Sequence, residues 1–156
     1  MKEDEDVELL QTIPGVWMIT AATIRAYTDD IDRYSSAKKY AAHAGLVPWV
    51  QNSNMTVHHG HITKRGPVEL RTAFVQMAMR MIRNQINTCG YRIMYKYREM
   101  KKHKGSGKSI IAAARKMSTV VYKMLKTREP FNPLKMVVTK EYKEMYAAAL
   151  DVAMVG

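Results

Sequence analysis

Along most of the chain apolar residues recur every three or four positions, the spacing that gathers them on one face of an α-helix; strand-like alternation surfaces only briefly. One stripe is Leu70, Phe74, Met77, Met81 and Ile82, with Pro67 suited to the first turn ahead of it. A second is Ile111, Ala114, Met117, Val121, Tyr122 and Leu125, which predicts a helix from Lys108 to about Lys126, broken afterwards by Phe131-Asn132-Pro133. Between them, after Cys89-Gly90, the series Tyr91, Met94, Tyr95 and Arg98 predicts a helix running to about His103. Towards the N-terminus, Val7 to Ile13 reads as a short helix stopped by Pro14-Gly15, and Met18 to Tyr27 as its partner in a helical hairpin. Ser35 or Ser36 then caps a helix from Ala37 through His43 that ends at Gly45. A final helix is expected from Val138 or Thr139 to about Met154. The expectation is an all-α single domain over residues 1–156, with about six or seven helices.

The stretch from Gly45 to Gly66 departs from this rule. Pro48, Gly60 and Gly66 interrupt a mostly polar run, and the alternation of Met55 and Val57 suggests at most a small hairpin within an irregular loop. Long ordered connections inside compact domains tend to carry function, so a site is sought here first.

Composition narrows the class. With 47% apolar residues in 156, one core can form without disulfides, and the single cysteine, Cys89, excludes an intrachain bridge and suggests a reducing, cytoplasmic setting. No apolar run approaches the ~20 residues of a membrane span, and the acidic start Glu3-Asp4-Glu5-Asp6 is unlike a secretion signal. The formal charge of +11 points to a polyanionic partner. Its distribution is uneven: acids dominate up to Asp32, whereas from Lys64 to Arg128 only Glu69 and Glu99 are acidic. Nucleic acid fits this better than anionic membrane, since no lipidation signal accompanies the basic residues. The 13 methionines suit adaptable interfaces as well as cores, and a homo-oligomer is expected.

Several groups of residues could carry chemistry. Arg71, Arg80 and Arg83 lie largely off the apolar stripe of their helix and could face phosphate. Tyr91, Tyr95 and Tyr97, interleaved with Arg92, Lys96 and Arg98, could stack on bases, although core packing should claim one or two of them. His58, His59, His61 and Cys89 match no closed zinc spacing, so no metal is assigned. Gly105-Ser-Gly-Lys-Ser109 copies the end of a phosphate-binding loop, but Lys102 stands where its first glycine belongs and no strand precedes it; a turn capping the next helix is the expectation.

The run Leu10-Gln-Thr-Ile-Pro-Gly15-Val-Trp17 looks like a helix-hairpin-helix, a motif whose turn meets DNA phosphate through backbone N–H groups, with Gly15 in the turn and Trp17 where a second glycine is usual. Further landmarks follow in order: Ala41-x-x-x-Gly45-Leu46-x-Pro48, Ser53, Gly60-x-Ile62-x-Lys64-x-Gly66, Leu70-Arg71 and Ala112-Ala-Ala-Arg115-Lys116. Together, from about Leu9 to Tyr122, the chain resembles the C-terminal domain of insertion-sequence transposases of the IS-one-ten (IS-one-sixteen, IS-nine-oh-two) type. That resemblance implies a serine that attacks a DNA phosphodiester and becomes covalently linked to it; by position this is Ser53. It also implies a ribonuclease-H-like partner domain with four acids that bind divalent metal (Mg), a structured guide RNA, and a place at the prokaryotic nucleoid. No ribonuclease-H-like domain fits within these 156 residues, and no cofactor is expected in this chain. Lys64, Arg65 and Arg71 would supply positive charge at the attacked phosphate, with Arg80, Arg83, Arg98, Arg115, Lys116 and Gly15 as further nucleic-acid contacts. Asn54 follows the serine where the family usually has glycine, and Pro67 stands where it prefers asparagine.

Overall fold

The structure, a computed structural model, describes the backbone of residues 2–53, 56–84, 88 and 90–137 and isolated positions beyond; side chains are described for 4–48, 61–84, 88, 90–137 and those same positions. It is mostly helical, as expected. Helix α1 (Lys2–Gln11) starts five residues before the first apolar landmark, Val7. Its opening turns carry Asp4, Glu5 and Asp6, and acids complement the positive end of a helix dipole, so charge extends the helix where hydrophobic spacing gives no signal. Asp6 is buried and pairs with Arg25 (2.8 Å) and with Arg128, tying α1 to both its neighbour and the far end of the chain.

Ile13 and Val16 are buried in the turn that leads to α2 (Met18–Thr28). Asp30 caps a single 3₁₀ turn at Ile31–Arg33, and the Ser36 hydroxyl accepts from Lys39 N (3.3 Å) to cap α3 (Ala37–His43), so Ser36 rather than Ser35 is the cap. In place of an irregular loop, β1 (Pro48–Ser53) and β2 (Thr56–Ile62) form an antiparallel hairpin with an irregularity between Pro48 and Val50. Only one apolar alternation marked it, because the polar residues of both strands hide their period.

Helix α4 (Val68–Arg83) buries Leu70, Ala73, Phe74, Met77, Ala78 and Met81, the predicted stripe, and packs against α2 and α5 (Arg92–Thr127). Helix α5 joins the two helices expected at 91–103 and 108–126, with one non-helical residue, Gly105 (φ 78°, ψ 168°). The break has a packing reason. Met94 and Ala114 are both buried, yet twenty residues at about 100° each would set them about 200° apart on a straight helix, nearly opposite. The kink lets both halves turn their apolar faces to one core, which also receives α1 and α3. Tyr40 lies at the centre, edge-on to Phe74 (5.9 Å) and Tyr34 (5.1 Å), with its hydroxyl 2.7 Å from Thr28 Oγ1. Arg128 ends α5 in a left-handed conformation, and Asn132 caps the short α6 (Pro133–Met136). The helix expected at 138–154 falls on positions mostly outside the described residues.

Candidate nucleic-acid interface

The hairpin is the element that leaves the helical body, and its register fixes where Ser53 lies. Ser53 is the last residue of β1 and pairs with Thr56, so it stands at the tip, beside Asn54 and Met55, which lie outside the described residues. The base is closed by pairing of Pro48 with Ile62 and by a hydrogen bond from Thr63 N to Val47 O (3.0 Å). A strand advances about 3.4 Å per residue, so the steps from Pro48 to Ser53 separate tip from base by on the order of 17 Å. On this register Lys64, Arg65 and Arg71 lie at the base of the hairpin and Ser53 at its tip.

Two glycines build that base. Gly66 has φ 92°, and a β-carbon on it would overlap the His43 carbonyl oxygen. Gly45 has φ 71°, and a β-carbon there would overlap the Arg65 carbonyl and stand 2.8 Å from Arg71 Nη1. The segment leaving α3 and the segment entering α4 thus touch backbone to backbone, which sets the direction in which the hairpin projects. Lys64 (φ 50°) and Arg65 are exposed on the outside of this junction. Arg71, on the first turn of α4, is half-buried. Its Nη1 is enclosed beside Gly45 with no hydrogen-bond partner among the described residues, near the negative end of the α3 dipole.

The helix-hairpin-helix-like turn is held from inside. Arg80 Nη1 donates to Gly15 O (3.1 Å) and Thr20 Oγ1 (3.0 Å), and its guanidinium lies 5.5 Å from the centre of the Trp17 ring. Arg80, an expected nucleic-acid contact, thus braces the turn from beneath. Trp17 is 72% exposed and is followed by exposed Met18 and Ile19, an apolar tip that the sequence did not announce. Trp17 caps α2 without a side-chain bond.

The other expected contacts stand on α4 and on both halves of α5. Arg83 is exposed in the last turn of α4, Arg98 on the first half of α5 and Lys116 on the second, while Arg115 is half-buried and its carbonyl accepts from Ser118 and Thr119. Of the three tyrosines considered for stacking, Tyr91 and Tyr97 are in the core and Tyr95 faces solvent. The acids of the 29–32 connector are occupied: Asp29 pairs with Arg33 (3.1 Å), Asp32 with Lys126 (2.6 Å), and Asp30 caps the 3₁₀ turn. The bond to Asp32 raises the pKa of the Lys126 ammonium above the ordinary lysine value. Among the described residues no group of three or more histidines, cysteines or acids could hold a metal ion; His58, His59 and Cys89 have side chains outside that set. No described helix is long and apolar enough to cross a membrane.

The family model described as Transposase IS116/IS110/IS902 matches residues 7–91, more than half of the chain. The chain belongs to this family. Over 131 residues it is 30% identical to the transposase for insertion sequence element IS1111A of Coxiella burnetii, covering 83% of this chain and 35% of that protein. Over 127 residues it is 31% identical to the pilin gene-inverting protein of Moraxella lacunata, covering 80% of this chain and 38% of the relative. It is also 24% identical over 136 residues to an uncharacterised 44.8 kDa protein of insertion element IS116 from Streptomyces clavuligerus (85% and 32%). The chain thus spans about a third of the length of these curated relatives. The family match takes in the hairpin, its glycine junction and α4, and stops where α5 begins.

Proposed function

We propose that this chain is the DNA-handling domain of a transposase-type recombinase, with Ser53 as the nucleophile that breaks and holds a DNA strand. The observation that carries the reading is the location of a serine at the tip of a hairpin that leaves a basic junction, inside the segment shared with the family. In the proposed step the Ser53 oxygen gives up its proton to a base, bonds to phosphorus, and displaces one sugar oxygen, which takes a proton. One phosphodiester is exchanged for another, so the strand can be rejoined by the reverse attack without an external energy source. Lys64 and Arg65, on the order of 17 Å from the tip, would hold a different phosphate, about five base steps away at 3.4 Å per step. Arg83, Arg98 and Lys116 would add sequence-tolerant phosphate contacts.

The acids of the 29–32 connector are spent on arginine and lysine partners and on capping. As the family resemblance implies, we propose that divalent metal belongs to a ribonuclease-H-like partner domain of the longer enzyme, with a structured guide RNA and a second copy of the chain as other partners. That two relatives are named for transposition and gene inversion supports strand exchange as the shared activity.

The test is covalent trapping. The chain, wild type and Ser53→Ala, is mixed with end-labelled DNA, RNA and a supplied ribonuclease-H-like partner domain from a longer relative, then run on a denaturing gel. A labelled adduct present in wild type and lost in Ser53→Ala is the expected result. An adduct that survives the substitution removes Ser53 from the chemistry. No adduct in either protein, with salt-sensitive DNA binding intact, leaves a binding module in which Asn54 marks the loss of the family's catalytic turn.

A further inference from the structure

The first half of α5 lies beyond the family match and carries the densest positive charge of the chain. Between Arg92 and Lys108 stand Arg92, Lys96, Arg98, Lys101, Lys102, Lys104 and Lys108 against a single acid, Glu99. Glu99 is paired with Lys102 (2.7 Å), which keeps its carboxyl ionised below the usual carboxylate range, so the remaining cations are not neutralised by it. Ile93, Met94 and Tyr97 take the buried side of this half-helix, and Arg92, Tyr95, Lys96, Arg98 and Lys102 are exposed on the opposite side. Tyr95 is 41% exposed in the middle of that charge. At 100° per residue, Arg92 and Arg98 flank it at one turn below and one above, and Lys102 sits two turns on.

An exposed aromatic ring framed by cations fits one kind of occupant. Duplex DNA hides the faces of its bases, so a duplex would use the cations and leave the ring idle. An unpaired base offers its face to an aromatic while its phosphates reach the neighbouring lysines and arginines. A membrane surface is a poorer match, because an interfacial helix must insert its apolar face and here that face is buried in the core. We propose that the Tyr95 face of α5 is a binding platform for single-stranded nucleic acid, with one base stacked on Tyr95 and its backbone held by Arg92, Lys96 and Arg98. The platform is separate from the Ser53 tip and does not depend on strand exchange. Ribose and deoxyribose are equally compatible with these contacts, and the test distinguishes them.

The probes are fluorescein-labelled twelve-nucleotide strands of uridine and of thymidine and a twelve-base-pair duplex, titrated by anisotropy at fixed salt with wild type, Tyr95→Ala, Tyr95→Phe and Lys96→Gln. Stacking on an aromatic is strong enough that Tyr95→Ala should weaken single-strand binding roughly tenfold. Duplex affinity should stay within twofold, and Tyr95→Phe should retain wild-type binding. Lys96→Gln should weaken both single-strand and duplex binding and flatten the salt dependence, as loss of a phosphate contact does. A tighter uridine strand identifies RNA as the occupant and a tighter thymidine strand DNA. Unchanged single-strand binding in Tyr95→Ala, or equal loss for strand and duplex, overturns the platform whatever the Ser53 trapping shows. Circular dichroism of each variant checks the fold, which a solvent-facing tyrosine should not disturb.

Discussion

Replacing Gly66 with alanine is the most direct probe of the junction that aims the hairpin. Two costs arise at this one position. The backbone sits at φ 92°, a conformation that costs a residue with a side chain about 1–3 kcal/mol. The new β-carbon also meets backbone, with the His43 carbonyl carbon at 3.0 Å and its oxygen nearer still, so α3 and α4 must separate; overpacking of this sort costs about 1–3 kcal/mol more. The sum, roughly 2–6 kcal/mol, is a large part of the ~5–15 kcal/mol that holds an ordinary domain together. The same chain supplies its own controls. Gly105 has a similarly unfavourable backbone (φ 78°, ψ 168°) but nothing within 4 Å of a β-carbon, so Gly105→Ala should show the strain alone. Gly107 lies in the helix with open space around it, and Gly107→Ala should be neutral or gain up to ~1 kcal/mol. Urea denaturation followed by circular dichroism, with the m-value checked for constancy, ranks the three. If Gly66→Ala is no more destabilised than Gly105→Ala, the backbone contact between Gly66 and His43 is not what fixes the junction.

Arg80→Ala should lower stability by about 2–4 kcal/mol, since it removes two charged hydrogen bonds and the cover under Trp17, whereas exposed Arg83→Ala should stay within ~0.5 kcal/mol; denaturation midpoints compare them. Burial raises the Tyr40 phenol above its ordinary range, so in the folded protein it stays neutral at pH values where the unfolded chain, with tyrosines near pKa ~10, is already ionised. Its stabilising contribution is full below that pH and is lost as pH climbs beyond it. The urea midpoint should therefore fall between about pH 10 and 11 more steeply in wild type than in Tyr40→Phe, and equal slopes would remove Tyr40 as the cause.

The helices were legible because their burial is one-sided. Leu70, Phe74, Met77 and Met81 announce α4 by spacing alone, and Ser36 and Gly45 bracket α3 as their side chains and backbone freedom require. The hairpin was only half visible, since its strands are drawn largely from polar residues and a glycine with no period to read. The roles of individual cations were least legible. Arg80 and Arg98 look alike in sequence, yet one is used up beneath the Gly15 turn and the other stands in solvent. That difference depends on partners sixty or more residues away, which no local pattern encodes. That Ser53 lies at the tip and Lys64 and Arg65 at the base was hidden for a related reason: only the strand pairing spaces residues eleven or twelve apart along the hairpin.

The kink at Gly105 also makes α5 tolerant of change in a way that α4 is not. In α4 the buried stripe runs unbroken, so one residue gained or lost between Phe74 and Met81 would swing everything after it through about 100° and pull the core out of alignment. In α5 each half is anchored by its own apolar residues, and a β-carbon added at the joint between them would meet nothing within 4 Å. A length change at that joint leaves both anchors in phase. The exposed basic stretch from Lys101 to Lys108 can therefore lengthen, shorten or change its sequence over evolutionary time while the core keeps the same neighbours, a place where a shared scaffold can acquire differing specificities.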